Sequence, residues 1–108
     1  MVDVREVALA HLRAIKIPEA KNRRFIVVSE TVWFKDLFEP LAKLFGPEGW
    51  PVTTTLAPEP DDFDSYKICM DNKASRKVLG IRYRPPSVSM VDQAKRLIAV
   101  GGLQKPKP

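Results

Sequence analysis

The first seventeen residues carry apolar side chains at the spacing of an amphipathic helix. The helical face consists of Val4, Val7, Ala8, His11, Ala14 and Ile15, with Leu12 beside them. Asp3 and Glu6 are spaced as in a capping box, in which side-chain oxygens accept hydrogen bonds from amides at the start of the helix. Pro18 is expected to end the helix. The apolar face needs another surface to pack against.

A second pattern, over residues 24–29, predicts a strand. Its four consecutive apolar residues, 25–28, do not alternate with polar ones, which indicates burial on both faces, as in a parallel sheet. Shorter extended segments are expected at 52–56, 66–70 and 81–84. A strand buried on both faces needs neighbouring strands, and the chain offers few. The pattern therefore suggests an incomplete structural unit.

Three further helices are expected. They lie at 31–45, at 72–79, and from Ser87 or Ser89 to the glycines at 101–102. Pro40 lies inside the first of them, so this helix should kink or start late, because proline lacks an amide hydrogen. Asp71 is expected to cap the second, and Gly80 to close it in the left-handed conformation with Ile81 packed beside it.

Composition narrows the class of protein. The 108 residues suit one small domain, and 44% hydrophobic with 29% charged residues is ordinary for a globular protein. No apolar run is long enough to span a bilayer, and a single cysteine fits a reducing compartment, so a cytoplasmic location is expected. The net charge of +5 is interrupted by acidic residues at 59–64. A solvated surface is therefore favoured over nucleic-acid binding.

The candidate chemical groups are few. His11, the only histidine, would need an acid such as Glu30 or Asp36 to act as a base, and a packed, hydrogen-bonded position inside the fold is favoured. Cys69 lies between apolar neighbours, which favours inert packing over nucleophilic chemistry. One histidine and one cysteine do not supply a metal-ligand set. Capping is favoured over catalysis for Asp3 and Glu6.

For several other side chains, both a binding role and a structural role are considered. Trp33, Phe34 and Trp50 could line a substrate pocket, although anchoring of the core or of loops is favoured. Lys73, Arg76 and Lys77 could contact a cofactor phosphate or nucleic acid, although plain exposure on a short helix is favoured. No residue is assigned a catalytic, cofactor-binding or metal-binding role.

Three segments carry a resemblance to a known family. Residues 2–11, V-D-V-R-E-V-A-L-A-H, resemble the V-D-V-x-D-V-A-x-A-H segment of the extended short-chain dehydrogenase/reductases, with Glu6 where the family more often has Asp. Residues 71–85 are similar to the family's D-N-x-K-S/A-x-x-x-L-G signature, and 25–30 to a late strand of its sheet. The resemblance extends from Val2 to about Gly101. It is strongest to the branch of dihydroflavonol and aldehyde reductases.

The resemblance implies a fold and an origin. It implies an α/β fold, the C-terminal substrate-side portion of an extended Rossmann-type reductase, with about four helices and two or three short strands. Residues 1–102 would form this portion and 103–108 a mobile basic tail. The complete enzyme would transfer a hydride from NADPH to a ketone or aldehyde. The chain would be a truncated or split product, or a fragment of a gene.

The motifs that this family uses for catalysis are missing from the sequence. There is no G-x-x-G-x-x-G, and Tyr66 and Tyr83 are followed four residues later by Met70 and Ser87 rather than lysine. The chain alone is therefore expected neither to bind NADP nor to reduce a carbonyl. The alternative is a non-catalytic module that binds a protein partner, such as a full-length relative, through the first helix and residues 25–28.

Overall fold

The chain divides into two compact units. The computed structural model describes residues 1–107, except for the side chain of Tyr66. Unit 1 combines Met1–Thr31 with Ile68–Pro86, and unit 2 combines Val32–Lys67 with the residues from Ser87 onward. Each unit is therefore built from two separate stretches of chain.

All regular structure in the described residues is helical. The elements are α1 (Val4–Lys16), a 3-10 turn (Pro18–Ala20), α2 (Phe34–Phe45), α3 (Phe63–Tyr66), α4 (Lys73–Val78) and α5 (Pro86–Ala99). No strand occurs between residues 1 and 107. The expected α/β fold with two or three short strands is therefore wrong, and the described part of the chain contains no Rossmann-type sheet.

The segment 24–29 shows why the strand prediction fails. Phe25 and Val27 pack against the core of unit 1, as their apolar character requires. The carbonyl of Val28 accepts a hydrogen bond from the side-chain amide of Asn72 (2.6 Å), and the Ser29 amide donates to the carbonyl of Met1 (2.8 Å). These two backbone groups are thus paired by isolated hydrogen bonds. A ladder would require a partner strand, and the described residues provide none.

The start and end of α1 follow the sequence pattern. The Asp3 carboxylate accepts from the Arg5 amide at 2.9 Å, so the predicted N-cap is confirmed. The same carboxylate accepts two hydrogen bonds from the Arg5 guanidinium, at 2.9 and 2.7 Å. At the other end the helix stops at Lys16, and Pro18 opens the 3-10 turn.

The apolar stripe of α1 faces away from the core of its own unit. Val4, Leu12 and Ile15 are 77%, 50% and 85% exposed. The inward side carries Ala10 and Glu6, which are 4% and 1% exposed. An ion pair between the buried Glu6 and the partly exposed Arg84 holds this side against the core. The further surface that the apolar face is expected to pack against stays a prediction.

The core of unit 1 is small. Its buried members are Ala10, Ala20, Leu79 and Ile81, packed against the half-buried Leu9, Ile17, Phe25, Val27 and Tyr83. Gly80 adopts the predicted left-handed conformation, with φ of +62°, and Ile81 is buried beside it. The Arg13 guanidinium donates to the carbonyls of Leu79 and Gly80 at 2.8 and 2.6 Å, which joins α1 to the end of α4.

Unit 2 is organised around α2. The helix starts at Phe34, later than residue 31, with Pro40 in its second turn. Leu37, Leu41 and Phe45 are buried along one face, whereas Phe34 is 66% exposed. The spacing of these three residues is that of an amphipathic helix.

The last helix starts earlier than expected. Pro86 occupies the first position of α5, where its missing amide hydrogen costs nothing. The expectation that Ser87 or Ser89 caps this helix is wrong, because both lie inside it. Gly101, with φ of +73°, follows its end. Within residues 1–107, no helix combines the length and apolar character needed to cross a bilayer.

The ion pair between Glu6 and Arg84 yields a stability prediction. Arg84→Met leaves a buried carboxylate without its cation, which should reduce the local unfolding free energy of α1 by about 3 kcal/mol. The reduction should appear as faster amide hydrogen exchange across Val4–Lys16. Lys35→Met serves as the control, because it removes an exposed ion pair and should cost less than about 0.5 kcal/mol. Equal effects of the two variants would contradict this account.

Candidate functional site

Charged side chains lie buried at the first turn of α1. Asp3 and Glu6 are 5% and 1% exposed, and Nη1 of Arg84 donates a hydrogen bond to Oε1 of Glu6. The Ser29 hydroxyl donates to the carbonyl of Arg84 at 3.0 Å, which holds that residue in place. Among the described residues, none donates a hydrogen bond to Oε2 of Glu6. This cluster joins residues that lie 78 positions apart.

The contacts observed in this cluster are structural ones. Both carboxylates are buried, and each is engaged by an arginine. The predicted capping role is confirmed for Asp3, but Glu6 pairs with Arg84 instead of reaching back to the cap, so that half of the prediction is wrong. Arg84 is the member that sequence reasoning missed. No local sequence pattern indicates that Glu6 pairs with a residue so distant in the chain.

His11 lies on the outward side of α1. It is exposed, and its Nδ1 lies 2.8 Å from the carbonyl of Val7. The expected packing inside the fold is therefore wrong, although the hydrogen bond is present. Its partner is a main-chain carbonyl rather than the carboxylate of Glu30 or Asp36.

The two tryptophans have different surroundings. The indole Nε1 of Trp33 donates to the carbonyl of Ala57 at 2.7 Å, and its ring meets Phe63 edge-on at 5.2 Å. The anchoring role favoured for Trp33 is confirmed. Trp50 is half-buried, and the Lys105 ammonium lies 5.2 Å from its ring centre while donating to the carbonyl of Glu48.

The basic residues of α4 are exposed, as expected. Lys73, Arg76 and Lys77 all face solvent. The Arg76 guanidinium lies 5.1 Å from the ring centre of Tyr83, and the Tyr83 hydroxyl shares a hydrogen bond with the Ser75 hydroxyl at 2.7 Å. Tyr83 is thus held in a structural contact.

Two clefts in the described part of unit 2 border α2 and share Phe38 and Thr53 in their walls. The larger, about 310 Å³, is lined by Lys35, Phe38, Glu39, Ala42, Lys43, Thr53, Thr54 and Leu56. The other, about 240 Å³, is lined by Phe38, Leu41, Phe45, Trp50, Pro51, Val52, Thr53, Ala94, Ile98, Leu103 and Gln104. The second is mainly apolar and aromatic, which suits the carbon skeleton of a small molecule.

The five glycines do not lie where a glycine-rich pyrophosphate site requires them. A pyrophosphate site needs glycines at the start of a helix, where backbone amides point at the phosphates. Gly46 follows α2, Gly80 follows α4, and the glycines at 101–102 follow α5, while Gly49 lies in a turn. In residues 1–107, no three histidine, cysteine or acidic side chains come together as a metal site would require.

Three known proteins are similar to this chain. The chain is 33% identical to a ketoreductase of Aspergillus niger over 99 residues. It is 32% identical to cinnamoyl-CoA reductase 2 of Arabidopsis thaliana over 112 residues, and 30% identical to an uncharacterised oxidoreductase of Saccharomyces cerevisiae over 102. All three relatives carry the name of a reductase or an oxidoreductase. No protein-family model matches it, and no solved structure does.

The matches cover most of this chain but only a small part of each relative. They cover 90%, 98% and 90% of this reductase-like chain, but only 28%, 30% and 28% of the three relatives. The chain therefore spans less than a third of the length of the curated relatives it matches. Almost all of it has a counterpart in a reductase, whereas most of a reductase has no counterpart in it.

Cys69 yields a second prediction. The thiol is exposed, so the expected burial is wrong. A disulfide reagent such as Ellman's should therefore modify one thiol per native reductase-like chain, within about threefold of the rate in the denatured chain, since access does not limit the reaction. Cys69→Ser should abolish the signal. Protection by more than about a hundredfold in the native chain would contradict the exposed position.

Proposed function

We propose that the chain is the C-terminal, substrate-side portion of an NADP-dependent reductase that acts on a ketone or aldehyde carbonyl. One observation carries the proposal. The similarity to reductases covers nine-tenths or more of this chain and less than a third of each relative. A short chain that matches reductases almost end to end, over so small a share of their length, corresponds to one portion of such an enzyme.

The catalytic and cofactor-binding groups would belong to the other portion. The sequence has neither the glycine-rich turn nor the Tyr-x-x-x-Lys pair that the resemblance implies for a complete enzyme. The positions of the five glycines agree with this division, since none opens a helix. By this proposal the isolated chain neither binds NADPH through such a turn nor transfers a hydride.

The portion would contribute to substrate binding. The apolar cleft beside α2, with Phe38, Phe45 and Trp50 in its wall, is the feature of unit 2 that supports this role. The names ketoreductase and cinnamoyl-CoA reductase support a carbonyl compound as the substrate class. Aromatic walls bind flat organic groups well, because they bury a large apolar area with little loss of conformational freedom.

A second candidate function is a non-catalytic module that binds a protein partner. The outward apolar side chains of α1 favour it, since exposed apolar stripes are typical of association surfaces. The two candidate functions differ in how the chain would combine with a reductase. The first requires that the chain works inside a reductase, whereas the second requires that it binds an intact one.

A chimaeric enzyme tests the first candidate. The matched nine-tenths of this chain would replace the corresponding segment, 28% of the length, of the Aspergillus niger ketoreductase. We expect the chimaera to fold and to oxidise NADPH in the presence of a ketone, because the catalytic groups are retained from the relative. The rate should be within about a hundredfold of the parent, a loss of roughly 3 kcal/mol in transition-state stabilisation.

Two controls make the result decisive. A chimaera with the same residues in scrambled order should be inactive, and the isolated chain should not oxidise NADPH. An inactive chimaera together with tight binding of the isolated chain to the intact ketoreductase would favour the interaction module instead. Carbonyl reduction by the isolated chain would contradict the proposed division of roles.

A further inference from the structure

The unusual surface of unit 1 is the outward side of α1. Val4, Leu12 and Ile15 are 77%, 50% and 85% exposed, and the exposed Ala8 lies between them at helical spacing. We call these four residues the outer stripe. Three large aliphatic side chains in one row on a 13-residue helix form a continuous apolar surface rather than scattered exposure.

The outer stripe is not the result of a helix that is free to rotate. On the opposite side, Glu6 pairs with Arg84, and Arg13 donates to the carbonyls of Leu79 and Gly80. Turning the helix to bury the stripe would break all three contacts and expose the buried Ala10. The outward direction of the stripe is therefore fixed by the packing of unit 1 itself.

We infer that the outer stripe is the surface by which this chain packs against the remainder of a reductase. The inference rests on the proposed function and names the contact that the two portions would make. More than two thirds of each relative lies outside the matched segment, and one match covers 98% of this chain, which includes α1. In the relatives, the counterpart of α1 therefore belongs to a chain with more than twice as many further residues outside the matched segment.

A surface helix of a self-sufficient domain has one apolar stripe, which faces its own core. In α1 one side is held against unit 1 by the contacts of Glu6 and Arg13, and the other carries the outer stripe. A helix with both sides specified in this way is typical of an internal helix between two layers. The occupant that fits is the missing layer of the same fold, with an apolar surface opposite Leu12 and Ile15.

The test uses one substitution in two settings. Ile15→Lys places a cation in the last turn of α1, where it suits the helix dipole, so the isolated chain should keep its melting temperature within about 2 °C. In the chimaeric ketoreductase the same lysine would be buried in an apolar contact. We expect a loss of activity of at least about tenfold and a melting temperature lower by roughly 10 °C.

Matched controls assign the effect to the outer stripe. Ile68→Lys adds the same charge at another exposed isoleucine of unit 1, 73% exposed, and should change the activity of the chimaera less than about twofold. Ile15→Leu should retain the activity, because it preserves an apolar side chain.

The outcomes separate this inference from the proposed function. An inactive wild-type chimaera would contradict the proposed function, and this inference with it. An active chimaera that tolerates Ile15→Lys, or that is damaged equally by Ile68→Lys, would overturn the inference alone. Sedimentation of the isolated chain tests whether the outer stripe binds a second copy of the chain instead. A dimer that Ile15→Lys dissociates, with a tolerant chimaera, would assign the outer stripe to a second copy of this chain and overturn the inference.

Discussion

The structure of unit 1 depends on the ion pair between Glu6 and Arg84. It joins the first turn of α1 to the segment that follows α4, over 78 positions of sequence. A carboxylate that is 1% exposed must face its cation, because a buried charge without a partner is strongly unfavourable. This requirement fixes the rotation of α1 about its axis. The apolar stripe on the other side of the helix must then face away from the core.

Local signals in the sequence were sufficient to place most helix ends. Asp3 caps α1, Pro18 follows its end, and Gly80 closes α4 in the left-handed conformation. Each of these effects acts within a turn or two of the chain, so each can be recognised from a few neighbouring residues. The same holds for the late start of α2, because the cost of a proline inside a helix depends only on the preceding turn.

Features that depend on distant residues were not predictable in this way. The apolar run at 25–28 has the composition of a buried strand, but a strand exists only where another strand pairs with it. Helical periodicity located the stripe on α1 but not the direction it faces, which Arg84 decides. For the same reason His11 and Cys69 were expected inside and lie outside. Their neighbours in sequence are apolar, whereas their exposure depends on how the whole unit packs.

The two kinds of failure have a common cause. A run of apolar residues without a partner strand, and a helix with an apolar side that nothing in its own unit covers, both describe a sequence that specifies more contacts than 108 residues satisfy. Natural sequences usually agree with their folds at the local and the global level, so such conflicts are informative. Under the proposed function these conflicts would disappear, because the chain would be one portion of a longer reductase. Within a larger fold, the same residues would have neighbours on both sides.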